Sequence, residues 1–191
     1  MNTNRVRIVG GVWRSRLVRF AERPGLRPTP DRVRETLFNW LGQDLTGLSV
    51  LDLYAGSGAL GFEAASRGAR RVVMVERDPA SVRSLRDNCA ALAASQVEVT
   101  KADALEFLRL ARAQFDVIFL DPPFAAAPWP ELFERLPAHL ATGGMVYCES
   151  GARLESPAGW EIHRQGHAGQ VTYALLKRTA HEAHSGVSRD V

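Results

Sequence analysis

The chain has 191 residues, of which 46% are hydrophobic, and it carries a formal net charge of +3. This length and composition predict one ordinary globular domain with a full core and at most a small appendage. No apolar run is long enough to span a bilayer, and no apolar segment follows the N-terminus, which indicates a cytoplasmic protein without a signal peptide. Cys89 and Cys148 lack a metal-type spacing, and we expect no metal site.

Positive charge is concentrated at the N-terminus, where residues 1–34 contain nine arginines and two acidic residues. Basic and apolar residues alternate over 5–9, two glycines follow, and an extended pattern resumes over 14–20, which predicts a β-hairpin. Arginine favours bidentate contact with phosphate, so this hairpin is either an arm that lies on nucleic acid, which we favour, or a solvated ribbon. The arginines expected to bind RNA are Arg5, Arg7, Arg14, Arg16, Arg19, Arg27, Arg32 and Arg34.

A turn-rich linker at 24–28 leads into the first predicted helix. Thr29 is the predicted N-cap and Pro30 the predicted first helical residue. Arg32 and Arg34 flank the predicted apolar face. That face consists of Val33, Leu37, Trp40 and Leu41.

A glycine-rich turn, Gly56-Ser57-Gly58, lies between a predicted buried strand at 50–53 and a helix-forming run at 59–67. Strand, turn and helix in this order hold a nucleotide-like ligand at the carboxyl end of the strand, where the helix start offers unpaired N–H groups. Residues 56–61 match G-x-G-x-x-G, so a dinucleotide site stays open, as does a turn that only packs a helix on a sheet. Asp52 is too polar for the core without a partner, and it is expected to order the loop or bind the ligand's amino-acid end.

Strands and helices alternate over the rest of the chain. The predicted strands are 72–75, 97–100, 115–120, 145–149 and an antiparallel pair at 160–164 and 171–177. The predicted helices are 78–92, 103–108 and 129–140. We divide the chain into an arginine-rich hairpin and linker (1–28), a catalytic domain (29–178) and a frayed tail (179–191).

Acidic residues follow the second and third strands of the domain. Glu76, at a strand tip, is placed to accept hydrogen bonds from both ribose hydroxyls of an adenosine. Asp103, just beyond the next strand, is placed to accept from an adenine amino group, to cap the following helix, or to do both.

The segment Asp121-Pro122-Pro123-Phe124 follows the apolar strand 115–120. Two prolines fix the backbone and remove two N–H donors, so the turn presents a carboxylate and carbonyl oxygens, which are all acceptors. An amino group on a planar ring is the expected guest, and Phe124 offers a face on which that ring can stack. The alternative is a rigid turn with no chemistry.

These motifs resemble those of known methyltransferases. Residues 121–124 resemble the D/N-P-P-Y/F motif of enzymes that methylate exocyclic amino groups, and 56–58 with Glu76 resemble their cofactor loop and ribose acid. The closer resemblance is to the RsmD family, whose members methylate guanine N2 in 16S ribosomal RNA, and it covers about residues 5–178. One difference is Ser15, where that family usually has glycine. The segments that carry the resemblance to the RsmD family are 7–11, 26–29, 31–41 and 169–171.

The resemblance implies an α/β, Rossmann-like class I fold: a mostly parallel seven-stranded sheet with an antiparallel C-terminal pair, plus the hairpin arm. It implies S-adenosylmethionine as cofactor and 16S rRNA in an assembled or assembling small subunit as partner, and small size indicates a monomer. The implied catalytic residues are Asp121, Pro122, Pro123 and Phe124. The implied cofactor-binding residues are Asp52, Tyr54, Ala55, Gly56, Ser57, Gly58, Glu76, Arg77, Asp103 and Ala104.

Three other functions stay open on the sequence. An NAD-dependent oxidoreductase would use the glycine loop but leaves residues 121–124 unexplained. An adenine-N6 methyltransferase of DNA or RNA fits the catalytic motif, but the chain has no added target-recognition domain. A non-catalytic RNA-binding module would keep the arginines but has no need of Glu76 or Asp121.

Overall fold

The computed structural model describes residues 4–22, 28–123 and 127–179, and in this part of the chain helices flank a seven-stranded sheet. The strands are β1 (Arg5–Arg7), β2 (Leu17–Arg19), β3 (Ser49–Asp52), β4 (Arg71–Glu76), β5 (Val97–Lys101), β6 (Phe115–Leu120), β7 (Leu140–Ser150), β8 (Trp160–Ala168) and β9 (Val171–Arg178). The α-helices are α1 (Asp31–Trp40), α2 (Ala59–Ser66), α3 (Pro79–Leu92), α4 (Ala104–Leu110) and α5 (Trp129–Arg135).

The strand order of the large sheet is β5-β4-β3-β6-β7-β9-β8. Strands β3 to β7 pair in parallel, whereas β9 pairs antiparallel with both β7 and β8. The predicted seven-stranded sheet with an antiparallel C-terminal pair is therefore confirmed. The chain runs outward from β3 through β4 to β5 and then returns to β6 on the other side of β3. This reversal puts the switch point, where α/β sheets bind ligands, between the carboxyl ends of β3 and β6.

Each face of the sheet has its own apolar layer. The hairpin and helices α1, α2 and α3 pack on one face, and α4 and α5 pack on the other. Side chains alternate between the two faces along a strand. The residues that face the α1–α3 layer on the four central strands are Val50, Met74, Phe119 and Tyr147. Two positions further along the same strands, on the same face, stand Asp52, Glu76, Asp121 and Glu149.

One buried carboxylate holds the hairpin on α2. Glu63 accepts hydrogen bonds from the backbone N–H groups of Val9 and Gly10, at 2.8 and 2.7 Å. It also pairs with Arg34 and Arg67, each at 2.9 Å. A buried carboxylate is tolerated only when it is paired and hydrogen-bonded to this extent. The hairpin, α1 and α2 consequently form one packed unit.

Arg34 is part of this unit, and the prediction that it binds RNA is wrong. Its side chain is fully buried. The guanidinium donates to Asp31 at 2.7 Å, to the carbonyl of Arg7 at 2.7 Å and to the carbonyl of Thr29 at 3.1 Å, in addition to Glu63. The guanidinium is therefore committed to the interior and is not available to a phosphate.

The start of α1 also differs from the prediction. Asp31 is the first helical residue and Pro30 takes the N-cap position without a side-chain hydrogen bond, so the predicted Thr29 cap is wrong. The hydroxyl of Thr29 donates instead to Glu149 on β7, at 2.8 Å. The face of the helix is rotated as well, because Trp40 is only half-buried. The buried residues of α1 are Val33, Arg34, Leu37 and Phe38.

The hairpin forms as predicted, with shorter strands. Arg5 pairs with Arg19 and Val6 with Val18, and both valines are buried beneath the arginines. Ser15 lies in the connecting turn with a φ of +69°. This left-handed conformation is the one that glycine adopts without strain.

Two boundaries near the C-terminus differ from the prediction. Helix α5 ends at Arg135, because Pro137 lacks the N–H that the next helical hydrogen bond needs, and a 3-10 turn over 136–139 leads directly into β7. Strand β8 runs through Gly166 to residue 168. The division of the chain at residue 28 stays a prediction, and the predicted tail lies outside the described residues from position 180 onward.

Replacement of Arg34 by alanine is expected to lower the free energy of unfolding by about 3–5 kcal/mol, because Glu63 loses a buried partner. Chemical denaturation followed by circular dichroism measures this change. Arg32→Ala is the matched control on the exposed side of the same helix, and its effect should stay within about 0.5 kcal/mol. Equal small effects of the two substitutions would contradict the assignment of Arg34 to the core.

Candidate active site

Asp52, at the end of β3, orders the loop that follows. Its Oδ2 accepts from the N–H of Gly61 in the first turn of α2, at 3.0 Å. A Cβ at position 61 would collide with Met74, so glycine is required where α2 lies closest to the sheet. Asp52 thus ties the first turn of α2 to the end of β3, which agrees with a loop-ordering role, and the N–H of Gly61 is already paired and is not an open ligand donor. The loop between β3 and α2 comprises Leu53, Tyr54, Ala55, Gly56, Ser57 and Gly58.

The carboxyl of Asp52 is electrostatically perturbed. Burial is the main cause that raises its pKa to about 7; the hydrogen bond from Gly61 opposes this shift and the charge of Glu76 contributes to it. Asp52 therefore exchanges its proton near neutral pH, well above the ordinary range of an aspartate.

Glu76, the last residue of β4, joins two loops at the sheet edge. Its Oε2 accepts from the N–H of Gly56 at 2.9 Å, and its Oε1 accepts from the N–H of Asp78 at 2.8 Å. The side chain is largely buried at the strand tip, beside the glycine loop. This is the predicted position of a ribose acceptor, and its contact with a ribose stays a prediction.

Tyr54, Arg77 and Asp103 come together next to Glu76. Burial, together with the Asp103 carboxylate, raises the pKa of Tyr54 to about 12, against the opposing charge of the Arg77 guanidinium. Oδ1 of Asp103 caps α4 by accepting from two backbone N–H groups, at 2.9 and 3.3 Å. Ala104, the first residue of α4, is buried. These residues lie where the adenosine end of a cofactor is predicted to bind.

Asp121 follows β6 at the switch point. Its side chain is half-buried and accepts no hydrogen bond from the described residues. Burial raises the pKa of its carboxyl well above the ordinary value, and the charges of Glu149 and Asp52 raise it further. Pro122 is buried and Pro123 is exposed. Phe124 lies outside the described residues.

Glu149 is a site residue that the sequence analysis missed. It ends the apolar run of β7 on the strand next to Asp121, and its Oε1 accepts from the hydroxyls of Thr29 and Tyr147, at 2.8 and 2.9 Å. Burial raises the pKa of Glu149, while these two hydrogen bonds lower it. An acidic residue at the end of an apolar strand was the available signal, the same one that identified Glu76 and Asp121.

The predicted RNA-binding arginines separate into three groups. Arg34 is buried, as described above, and Arg27 lies outside the described residues. The exposed members are Arg5, Arg7, Arg14, Arg16, Arg19 and Arg32. Among these, Arg7 pairs with Asp31 at 2.8 Å, and Arg16 donates to a carbonyl of α3 at 2.9 Å.

Within residues 4–22, 28–123 and 127–179, no group of three or more His, Cys, Asp or Glu side chains is arranged to hold a metal ion. The helices of this described part are all too short or too polar to cross a bilayer. Cys148 is buried and Cys89 half-buried, each as a free thiol.

Comparison with known proteins identifies the family. The profile of a family described as "Conserved hypothetical protein 95" matches residues 6–177. Ribosomal RNA small subunit methyltransferase D of Escherichia coli (strain K12) is 41% identical over 185 residues, which cover 93% of this chain and 92% of that protein. The chain belongs to the RsmD family. The protein of the same name from Haemophilus influenzae is 39% identical over 180 residues, covering 90% of this chain and 93% of that protein.

Solved structures agree with this membership in the RsmD family. The Escherichia coli protein yhhF superposes with a TM-score of 0.83 at 42% identity, covering 92% of this chain and 99% of that one. A ribosomal protein L11 methylase from Lactobacillus delbrueckii shares the fold, with a TM-score of 0.63 at 20% identity, covering 85% of this chain and 86% of that one. The chain is therefore a class I methyltransferase, and the oxidoreductase and non-catalytic interpretations are wrong.

The perturbed carboxyl of Asp52 predicts a pH effect on stability. Between about pH 4 and pH 7 the unfolded chain ionises Asp52 while the folded chain keeps its proton, so this residue lowers stability as the pH rises, by as much as about 4 kcal/mol. Asp52→Asn keeps an acceptor for Gly61 and removes the titration. The free energy of unfolding of this variant, measured by denaturation at a series of pH values, should fall less steeply over that range than that of the wild type.

Asp87→Asn is the control for this pH experiment, because Asp87 is exposed on α3. Its curve should follow that of the wild type. Parallel curves for all three proteins would contradict a raised pKa at Asp52.

Proposed function

We propose that the chain transfers a methyl group from S-adenosylmethionine to the exocyclic N2 of a guanine in 16S rRNA of the small ribosomal subunit. The observation that carries this proposal is the half-buried Asp121 carboxylate, which has no donor from the described residues and is followed by two prolines at the switch point. A turn that presents only hydrogen-bond acceptors fits an amino group, because the amino group is a hydrogen-bond donor. The names of the RsmD-family relatives, ribosomal RNA small subunit methyltransferase D, support RNA as the substrate.

The residues at the ends of β3, β4 and β5 fit S-adenosylmethionine. Glu76 is placed to accept from the ribose hydroxyls, because its carboxylate lies at the tip of β4 and accepts from the backbone N–H groups of Gly56 and Asp78. Tyr54, Arg77 and Asp103 would border the adenine, and the loop ordered by Asp52 would border the amino-acid end. When bound, this cofactor supplies an electrophilic methyl group on a cationic sulfur.

The work of the chain's own residues is to position a weak nucleophile. The lone pair of guanine N2 is delocalised into the ring. Hydrogen bonds from the amino group to Asp121 and to the carbonyl oxygen of Pro122 would direct that lone pair at the methyl carbon, and Phe124 would stack on the base. Positioning of this kind supplies about 7–11 kcal/mol of barrier reduction. The target base must unstack from its neighbours in the RNA to reach Asp121.

Proton removal completes the reaction. Transfer would join N2 to the methyl carbon as the bond of that carbon to sulfur breaks, and N2 would then have to lose one proton. Asp121 is placed to take it, directly or through water, because burial and neighbouring charges raise its pKa toward the range in which a general base works best. The neutral sulfide and the methylated base then leave.

The arginine arm would hold the RNA backbone. Arg5 and Arg19 are directly opposed across the β1–β2 pair, on the exposed side of the hairpin. Like charges in that position are destabilising on their own, so an anionic partner accounts for them. Arg14 and Arg32 are also exposed and would extend the same contact, together with Arg7, Arg16 and Arg27. We further propose that the chain acts as a monomer in the cytoplasm on an assembled or assembling subunit.

Replacement of Asp121 by asparagine is expected to lower the rate of methyl transfer at least about 100-fold, because the variant loses the proton acceptor and one charge-assisted hydrogen bond. The assay follows tritium from labelled cofactor into 16S rRNA of small subunits and locates the mark by nucleoside mass spectrometry. Calorimetry should show unchanged affinity for S-adenosylhomocysteine. Glu161→Gln, on the exposed side of β8, is the matched control, and an Asp121 variant with wild-type activity would refute the proposal.

Replacement of both Arg5 and Arg19 by alanine is expected to weaken RNA binding. The slope of the logarithm of the binding constant against the logarithm of salt concentration should become shallower by the amount that corresponds to about two lost phosphate contacts. Filter binding across a salt series measures the slope. Arg71→Ala and Arg178→Ala, on the large sheet and far from the arm in the chain, form the charge-matched control. An unchanged slope in the arm variant would exclude these two arginines from the RNA contact.

A further inference from the structure

Glu149 lies beside Asp121 at the sheet edge. In the β6–β7 pair, Leu120 is opposite Cys148, so the next residue on each strand is Asp121 on one and Glu149 on the other. Neighbouring strands are about 4.8 Å apart, and both side chains are on the face toward α1. The charge of Glu149 also acts on the carboxyl of Asp121. The two carboxylates are therefore adjacent groups of one pocket edge.

Only one oxygen of Glu149 is used inside the protein. Oε1 accepts from the hydroxyls of Thr29 and Tyr147, whereas Oε2 accepts from no donor among the described residues. In that same part of the chain, every side-chain oxygen or nitrogen that is sealed from solvent has a hydrogen-bond partner. Oε2 must therefore retain contact with solvent, even though the residue as a whole is only 5% exposed.

The internal contacts of Glu149 do not require a carboxylate. An amide oxygen would accept equally well from the two hydroxyls and would avoid the cost of a second buried charge next to Asp121. A carboxylate at this position, with one oxygen that no donor of the described residues uses and that solvent still reaches, is suited to a donor that arrives with the substrate.

The order of groups along the edge says which part of the substrate reaches Glu149. The predicted cofactor-binding residues lie at or just after the ends of β5, β4 and β3, and Asp121 directly follows β6. A base whose amino group is held at Asp121 therefore extends toward β7, in which Glu149 is the last residue but one. On the Watson–Crick edge of guanine, the group next to the N2 amino group is the N1–H donor. In adenine and cytosine the amino group is flanked by an acceptor nitrogen instead.

We infer that Oε2 of Glu149 accepts the N1–H of the target base and thereby selects guanine. This inference rests on the proposed function. Two adjacent carboxylates face two adjacent donors, a pattern that only guanine among the four RNA bases offers next to an amino group. Thr29 and Tyr147 fix the rotamer of Glu149, so they act as positioning residues for this contact.

The test uses 2-aminopurine at the methylated position of reconstituted small-subunit RNA, once that position has been mapped with the wild-type enzyme. This base keeps the 2-amino group but has an acceptor at N1. The wild type should methylate guanine at least about tenfold faster than 2-aminopurine, as measured by kcat/KM. In Glu149→Gln, the amide oxygen keeps Thr29 and Tyr147 as partners and the amide N–H donates to N1 of the analogue. The ratio of the two rates should therefore shrink at least about tenfold.

Two further variants separate selection from structural support. Glu149→Asp keeps the charge and should lower both rates while it keeps a preference for guanine, so it tests the inference even if Glu149→Gln does not fold. Tyr147→Phe removes one of the two hydrogen bonds that fix the rotamer of Glu149, so it should shrink the ratio of the two rates, but by less than Glu149→Gln does. A Glu149→Gln enzyme that keeps the wild-type ratio, or a Glu149→Asp enzyme that loses it, would overturn the inference.

Failure of the proposed function would look different. In that case the wild type would not methylate guanine N2 in small-subunit RNA at all, and no ratio of rates could be formed. An active wild type that does not distinguish guanine from 2-aminopurine would leave the proposed function intact and would contradict only the role of Glu149.

Discussion

The buried carboxylate of Glu63 is the interaction on which the arrangement of this molecule depends. Four groups from three separate segments converge on it: two backbone N–H groups of the hairpin turn, Arg34 of α1, and Arg67 just after α2. Its own helix begins at Ala59, directly after the glycine loop, and Gly61, two positions before Glu63, donates to Asp52. The same helix therefore supports the arginine arm at one side and the cofactor loop at the other, which links the element that would hold RNA to the element that would hold the methyl donor.

Charge in the fold is divided between two surfaces. Four acidic residues stand at the carboxyl ends of four neighbouring parallel strands, all on the same face of the sheet: Asp52, Glu76, Asp121 and Glu149. Burial and mutual repulsion raise the pKa values of Asp52 and Asp121. A cationic cofactor would relieve that repulsion, because it brings positive charge into the cleft. The arm carries the opposite sign, so an anionic backbone is attracted to the rim and an amino group to the cleft.

The sequence predicted the parts of the site that depend on local order along the chain. Apolar runs followed by glycines or by an acidic residue located the ends of β3, β4 and β6, and these are the positions of Asp52, Glu76 and Asp121. Features that depend on contacts between distant segments were missed. Helical periodicity placed Arg34 beside an apolar face, but only the position of Glu63, 29 residues later, explains why an arginine is buried there. The importance of Glu149 follows from the pairing of β7 with β6, which places this residue beside Asp121.

The burial of Arg34 against Glu63 also restricts which substitutions can accumulate at these two positions during evolution. Two apolar residues of similar volume would often serve a folded core as well as an ion pair does. A change of either codon alone, however, deprives a buried charge of its opposite partner, and the two changes are non-additive because the residues are in contact. Each single step is consequently costly, whereas the second change offsets part of the cost of the first. Descendants of this sequence should inherit both charged partners together or lose both together.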